Sequence, residues 1–137
     1  MMSSVELPRH LLTIEEFDAL PEDNSARFEL QEGVLVVTPR PVPAHARAAY
    51  RIARQLDDQL PAGFEPLIEA EICLERNFPP TVRIPDVVVT RTPPRDERRT
   101  SLDEVVVAVE IISPGSRRTD TVTKPAEYAD AGIPHYW

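Results

Sequence analysis

Glu110 interrupts an otherwise apolar run, Val105–Ile112, which makes it the most informative residue of the sequence. A nearly unbroken apolar run is typical of a central strand that is covered on both faces. An ionised carboxylate in such a strand is very costly unless it is paired, neutralised or bound to a metal ion. The alternative is a carboxylate near the end of the sheet that is partly solvated or paired with an arginine. The sequence leaves both interpretations open.

Two other residues extend the chemistry that Glu110 could perform. Asp86 follows Pro85 near the start of a predicted strand, and Lys124, the only lysine of the chain, lies at the start of the last predicted helix. Two carboxylates can hold Mg²⁺, a hard cation that prefers oxygen ligands, and a lysine can position water or stabilise charge on a phosphate. Together these residue types predict metal-assisted hydrolysis of a phosphodiester.

Both added residues also have an ordinary structural explanation. Asp86 could accept a local hydrogen bond in a turn, as aspartates before strands often do. Lys124 could form a surface ion pair with Asp120 or Glu127, which lie four residues before it and three after it. Taken singly, each of these explanations is the more common one.

Glu29 and His45 are further candidates with two interpretations each. Phe28 and Leu30 share one face of a predicted strand, so Glu29 points to the other face. It is either a solvated strand residue or a further acid of the cluster. His45 lies in the first turn of a long predicted helix, where a surface or capping histidine is more common than a catalytic one.

The elements that position these residues follow from periodicity and from proline and glycine signals. Thr13 and Glu16 predict a capping box at the start of a short helix that ends before Pro21. Two β-type runs on either side of Gly33 predict a hairpin. The remaining elements are a helix over 44–60, strands over 67–74, 82–90 and 105–112, and a helix over 123–131. The order helix, hairpin, helix, three strands, helix predicts an α/β or α+β sheet with helices on its faces.

Two of these elements carry a clear apolar pattern. The helix over 44–60 has one apolar stripe, which consists of Ala49, Ile52, Ala53, Leu56 and Leu60. The strand over 67–74 alternates, which predicts Ile68, Ala70, Ile72 and Leu74 inward and Glu69 and Glu71 outward.

Composition limits the class of protein. The 137 residues, 42% hydrophobic and 28% charged, are those of one ordinary globular domain. Cys73 is the only cysteine, which excludes an internal disulfide and favours a reducing, cytoplasmic compartment. No apolar run approaches the roughly 20 residues that span a bilayer, so no membrane partner is expected.

The net charge of −8 counts against tight, non-specific binding of nucleic acid. Two observations soften that objection. Clustered carboxylates of a metal site themselves add negative charge. All but one of the 15 basic residues are arginines, which suit bidentate contacts with phosphate.

These motifs resemble the Uma2 family, a group of restriction-endonuclease-like proteins in the PD-(D/E)XK nuclease superfamily. The resemblance covers Thr13 to Trp137, and its most specific parts are 109–116 and the ending from Tyr128. The residues that carry it are Phe28-Glu-Leu30 with Gly33, Pro85-Asp86-Val-Val-Val89, Val109-Glu-Ile-Ile-Ser-Pro-Gly-Ser116, and Lys124 with Tyr128-Ala-Asp-Ala-Gly-Ile-Pro-His-Tyr-Trp137.

The resemblance implies a restriction-endonuclease-like fold, which is a mixed central sheet flanked by helices, as a single domain over residues 1–137. It implies that Asp86 and Glu110 bind Mg²⁺, with Mn²⁺ as the alternative ion, and that Glu29 joins the acid cluster. The superfamily lysine normally lies two residues after the glutamate, and this chain has Ile112 there. In Uma2-like proteins the lysine lies on the following helix instead, and Lys124 matches that position.

Two departures from the family pattern bear on these implications. Pro125 directly follows Lys124 and is tolerated only if Lys124 lies in the first helical turn. Similar proteins continue beyond Tyr136-Trp137 into at least one more strand, so either a partner completes the fold or the chain is a shortened form. An exposed sheet edge favours pairing between chains, and a homodimer is expected.

Three functions remain in order of preference. The first is a Mg²⁺-dependent DNA endonuclease with Asp86, Glu110, Lys124 and Glu29 in its site. The second is a catalytically inactive protein of the same fold that acts as a DNA-binding or protein-interaction module. The third is a metal-dependent hydrolase of another phosphate substrate, such as RNA or a nucleotide.

Overall fold

Residues 7–91 and 97–137 are described by the structure, a computed structural model. The predicted domain over 1–137 therefore includes two segments, 1–6 and 92–96, that lie outside the described residues. No helix of the described ranges is both long and apolar enough to cross a membrane. The described elements are α1 (Ile14–Asp18), β1 (Ala26–Gln31), β2 (Val34–Pro39), α2 (Pro43–Gln59), β3 (Phe64–Ile68), β4 (Ile72–Glu75), β5 (Thr81–Arg83), β6 (Val87–Arg91), a 3₁₀ turn (Leu102–Glu104), β7 (Val105–Val109), a π turn (Thr119–Thr123), α3 (Lys124–Asp130) and β8 (His135–Tyr136).

The strands of the described residues divide between two four-stranded sheets. The first has the order β2-β1-β5-β4 and is antiparallel throughout. The second has the order β3-β6-β7-β8, and its β7-β8 pair is parallel whereas its other pairs are antiparallel. The predicted α+β class, with a mixed sheet and helices packed on the strands, is confirmed. The central place of the strand that precedes Glu110 is confirmed too, since β7 lies between β6 and β8.

The local signals at the start of the chain are also confirmed. Thr13 caps α1, and Glu16 returns the hydrogen bond to the Thr13 backbone. The β1-β2 hairpin turns through Glu32 (φ 47°) and Gly33 (φ 81°). Positive φ at both central residues matches the right-handed twist of paired strands.

Helix α2 packs as its apolar stripe predicts. Ala49 and Ala53 are buried against the inner residues of β6 and β7, and the other stripe residues pack on the same cluster. A second cluster on β6 and β7 packs around Tyr128 of α3, which is fully buried. The central strands are therefore covered from two sides.

Two predicted strands are each two strands in the structure. The run over 67–74 is divided between β3 and β4, which belong to different sheets. Glu69 adopts a φ of 54° between them, and Ile68, predicted inward, is 47% exposed. The run over 82–90 is divided between β5 and β6, with Pro85 and Asp86 in the break. Alternation records which face of a strand is buried but not where the chain leaves one sheet for the other.

The strand predicted over 105–112 ends earlier than expected. β7 stops at Val109, and Glu110 is the next residue. The Glu110 backbone N–H still donates to the Trp137 carbonyl at 2.9 Å, and the Trp137 N–H donates to the Ala108 carbonyl at 2.9 Å. Glu110 is therefore held at the end of a central strand, which is the alternative position that the sequence left open.

A guanidinium fixes α1 to the rest of the fold. Arg99 donates to Asp18 Oδ2 at 3.2 Å, and its Nε lies 2.7 Å from Glu71 Oε2. The bond from Arg99 lowers the pKa of Asp18, whereas burial raises the pKa of Glu71 despite the nearby positive charge. One arginine thus compensates two acids.

Replacing Gly33 with alanine is expected to destabilise the protein by about 2–4 kcal/mol in urea unfolding. An added Cβ would lie 2.9 Å from the Leu11 Cβ, at a positive φ. Gly63→Ala is the matched control, because Gly63 also has a positive φ but nothing within 4 Å of an added Cβ. It should cost only about 1 kcal/mol. Equal losses in the two variants would contradict the close packing at Gly33.

Arg99→Gln is expected to lower the free energy of unfolding by about 1–2 kcal/mol near neutral pH. The folded pKa of Asp18 is lowered, so its contribution is present above its unfolded pKa and is lost as the pH falls through the folded value. The difference between wild type and variant should therefore shrink below about pH 4. Arg98→Gln is the control, since Arg98 is 59% exposed and 3.7 Å from Asp18. An equal loss in that variant would contradict the role of Arg99.

Candidate active site

A cavity of about 580 Å³ lies where β1, the start of α2 and the residues after β7 meet. Glu29, Asp86, Glu110 and Lys124, the residues singled out by the sequence, all line it. Asp120, which the sequence analysis considered only as a surface partner of Lys124, lines the same cavity. The fold therefore brings together acids from four separate segments of the chain.

Asp86 is 3% exposed and has three donors from other segments. The Ile111 N–H donates to Oδ2 at 2.6 Å, and His45 Nε2 lies 2.8 Å from Oδ1. Arg27 Nη1 lies 3.4 Å from the same Oδ1. None of these is a local turn bond, so the ordinary explanation of Asp86 is wrong. The carboxylate instead connects the entry of β6 to the exit of β7.

His45 lies inside the site rather than at the surface. Its side chain is only 12% exposed, and the α2 N-cap residue, Val42, makes no side-chain capping bond. The interpretation of His45 as a surface or capping histidine is therefore wrong. The physical reason is that α2 begins at the cavity, so its first turn points a side chain at Asp86.

Glu110 is buried and paired. The Tyr128 hydroxyl donates to Oε1 at 2.7 Å, and Lys124 Nζ lies 3.1 Å from Oε2. Burial raises the pKa of Glu110 to about 7, the charge of Asp86 adds to the rise, and Lys124 and Tyr128 oppose it. Glu110 thus lies at the sheet end but is buried there rather than partly solvated, and its cationic partner is a lysine rather than an arginine.

Lys124 lies between two acids in the interior. Its Nζ is 3.1 Å from Glu110 Oε2 and 3.2 Å from Asp120 Oδ1. Burial by itself lowers the pKa of Lys124, but Glu110, Glu29 and Asp120 outweigh it, so the pKa is raised and the ammonium is retained. A surface ion pair is therefore the wrong explanation. Glu127, the other suggested partner, pairs instead with Arg83 at 2.9 Å.

The helix that carries Lys124 is shaped by a π turn. Ser116, Asp120, Lys124 and Tyr128 follow one another at intervals of four residues. Each such step advances about 40° around an α-helix, so a wider turn is needed to keep the side chains on one side. The Lys124 N–H bonds to the Thr119 carbonyl in that turn. Pro125, which has no N–H to donate, follows directly in the first turn of α3. Pro125 thus leaves Lys124 in the site.

The turn that contains Ser113 and Ser116 orients the side chain of Asp120. The Ser116 hydroxyl donates to Asp120 Oδ2 at 2.6 Å, and the Ser116 N–H donates to the Ser113 carbonyl at 3.0 Å. Gly115 adopts a φ of 89° in that turn. A compact loop therefore orients the acid that contacts Lys124.

Glu29 is buried rather than solvated, at 5% exposure. Its Oε2 accepts from the Ile84 N–H at 2.7 Å, and its Oε1 lies 3.7 Å from Arg83 Nη1. Glu29 therefore fixes the backbone just before Asp86. Arg83, 1% exposed, also donates to Gln31 and to Glu127.

The donor set fits a hard divalent cation in part. Asp86 and Glu110 offer carboxylate oxygens to one cavity, and Mg²⁺ is commonly held by one or two carboxylates together with water. In residues 7–91 and 97–137, no group of three or more His, Cys, Asp and Glu side chains is arranged to hold a metal ion. Both carboxylates are occupied by the donors described above. Two acidic ligands are therefore the most that the described residues provide without rearrangement.

Four contributors to the site were not predicted from the sequence: Asp120, Tyr128, Arg27 and Arg83. A signal for two of them was present, because the four-residue spacing of Asp120, Lys124 and Tyr128 marks one helix face. Arg27 and Arg83 carry no such signal, since their partners lie on other elements and up to 59 residues away. His45 was noticed, but its partner Asp86 is 41 residues distant.

Comparisons with known proteins agree with the fold. The Uma2 family model, described as "Putative restriction endonuclease", matches residues 14–137. A crystal structure of a "putative nuclease belonging to DUF820" from Anabaena variabilis ATCC 29413 superposes with a TM-score of 0.71 at 19% identity. That alignment covers 92% of this chain and 72% of the other. At this identity the likeness shows a shared fold. No curated protein gives a significant match.

Tyr128→Phe is expected to raise the pKa of Glu110 above its value of about 7. The lost hydroxyl donates to the ionised carboxylate, so its removal favours the protonated form. Carboxyl ¹³C NMR titration measures the change directly. Tyr136→Phe is the control, because the Tyr136 hydroxyl donates to the Asp120 backbone carbonyl instead. An unchanged Glu110 titration in Tyr128→Phe would refute the bond.

Proposed function

The chain belongs to the Uma2 family, and we propose that it is a metal-dependent endonuclease that hydrolyses phosphodiester bonds in DNA. The observation that carries the proposal is the convergence of Asp86, Glu110 and Lys124 on one cavity. Two acids and a cation, buried together, are costly for stability alone. Their retention in one place is explained by a chemical task.

Asp86 and Glu110 are the residues that would hold Mg²⁺, or Mn²⁺ in its place. A divalent ion held there would neutralise charge on a phosphate and would lower the pKa of a bound water. The raised pKa of Glu110 agrees with this assignment, because burial and the charge of Asp86 leave its negative charge undercompensated. A carboxylate in that state gains from a nearby cation.

Lys124 is the proposed catalytic cation. Its ammonium remains protonated among Glu110, Glu29 and Asp120, and it lines the cavity with the two proposed ligands. An ammonium there can donate to an attacking water or to a phosphate oxygen. Asp120, oriented by Ser116, holds the lysine in place and is a positioning residue.

The remaining polar residues fix the proposed ligands. His45 and the Ile111 N–H donate to opposite oxygens of Asp86, and Tyr128 donates to Glu110. Glu29 accepts from the backbone two residues before Asp86. Such bonds set ligand orientation, and their removal commonly lowers metal affinity by about 10–100-fold.

A second function is favoured by a specific observation. Every oxygen of Asp86 and Glu110 already has a donor or cation from the protein, and the described residues form no three-ligand group. A site closed in this way leaves no open ligand position, which is also what a non-catalytic descendant of a nuclease would show. That protein would act as a DNA-binding or protein-interaction module.

Asp86→Asn and Lys124→Met are expected to lower the rate of DNA cleavage by at least about 100-fold each. Calorimetry with Mg²⁺ and Mn²⁺ should separate their roles, since Asp86→Asn loses metal binding and Lys124→Met keeps it. Cleavage of supercoiled plasmid is measured with and without chelator, and circular dichroism checks folding.

Asp103→Asn is the matched control, because Asp103 is exposed on the 3₁₀ turn and away from the cavity. It should retain both metal binding and cleavage. A wild-type protein that neither binds metal nor cuts DNA or RNA would overturn the proposal. DNA binding without metal in that protein would support the module instead.

A further inference from the structure

Helix α2 begins at the cavity and carries an exposed basic stripe on the face turned away from His45. His45, in its first turn, contacts Asp86, and the helix then runs on for 17 residues in all. Arginines and one tyrosine recur at intervals of three or four residues, which places them on one helix face. All of them are exposed, and we define the basic stripe as Arg47, Tyr50, Arg51 and Arg54.

Several arginines elsewhere in the described residues are paired with acids, whereas the stripe arginines are not. Arg83, Arg98 and Arg99 each form ion pairs with acids. Over the described ranges, none of the stripe arginines forms an ion pair or a side-chain hydrogen bond. The chain as a whole has a net charge of −8, yet α2 has no acid before Asp57. The three arginines of the stripe therefore have no acidic partner, although the chain as a whole is acidic.

The stripe is also held rigidly. The opposite face of α2 is buried through Ala49 and Ala53 against β6 and β7. The arginines are thus presented on a helix that cannot rotate. Arg47 and Arg54 are separated by about 10 Å along the helix axis. Measured along the axis of a duplex, that distance corresponds to about three nucleotides of one strand, which rise 3.4 Å each.

We infer that the basic stripe of α2 binds the phosphodiester backbone of a nucleic acid. The inference deepens the proposed function by naming a substrate-binding surface outside the cavity, and it rests on that function for the class of substrate. Charge complementarity selects the partner, because guanidinium groups match phosphate oxygens in bidentate geometry. Tyr50, 58% exposed among the arginines, supplies a hydroxyl or a ring face to the same strand.

Fluorescence anisotropy with labelled duplex DNA, single-stranded DNA and RNA of one sequence tests the inference. Chelator is present throughout, so cleavage does not occur. The wild type is compared with the triple variant Arg47→Gln, Arg51→Gln, Arg54→Gln across a range of salt concentrations. Arg76→Gln is the matched control, since Arg76 is exposed in the β4-β5 connection and does not line the cavity.

The triple variant should bind at least about 10-fold more weakly at low salt, whatever the sequence of the probe. On duplex DNA the slope of log affinity against log salt should fall by about 0.9 for each arginine that contacts a phosphate, and on single strands by about 0.7. The preferred polymer is the one for which the triple variant loses the most affinity. Arg76→Gln should leave both quantities unchanged.

Two results would overturn the inference: no binding by the wild type to any of the three polymers, or equal affinity and salt slope in the wild type and the triple variant. Equal affinity and salt slope would indicate instead that the stripe binds an acidic protein partner. Failure of the proposed function looks different, because binding in chelator needs no catalysis. A wild type that binds through the stripe but never cleaves would support the binding surface and refute the proposed endonuclease activity.

Discussion

Four carboxylates are removed from water around one cavity, and their burial must be offset by donors that the protein itself supplies. No single element could provide them. Asp86 is satisfied by β1, by α2 and by the backbone after β7, whereas Glu110 is satisfied by two side chains of α3. The same bonds therefore unite both sheets and two helices. The acids are Glu29, Asp86, Glu110 and Asp120.

Net charge is a poor guide to the surface of this protein because acids and bases are distributed unequally between interior and exterior. Several acids are enclosed with an arginine, a lysine or a histidine and so contribute little to the outer field. The arginines of α2 have no such partner, so their positive charge contributes to the electrostatic potential at the surface. An overall value of −8 is thus compatible with a locally positive face of α2 and a separate acidic cavity.

Much of the fold could be predicted from local sequence, because capping, hairpin formation and helix periodicity are decided within a few residues. Thr13, Gly33 and the α2 stripe are examples. The passage from one sheet to another is not local, so the runs over 67–74 and 82–90 each looked like one strand. The same limit applies to the site. Asp120 and Tyr128 lie on the same helical segment as Lys124, so their place in the site could be predicted from their spacing. Arg83 depends on partners that only the folded chain brings near.

The donors to Asp86 lie 25, 41 and 59 residues away in sequence. Contacts of such separation require the loops between them to close first, so they form late relative to the hairpin and the helices. A chain still in synthesis that has not yet reached residue 111 lacks one donor, and before residue 124 it lacks the ammonium that faces Glu110. The early part of the nascent polypeptide contains α1, the hairpin and α2 but cannot assemble the acid cavity. Any chemistry of that cavity is consequently withheld until translation has passed the α3 helix.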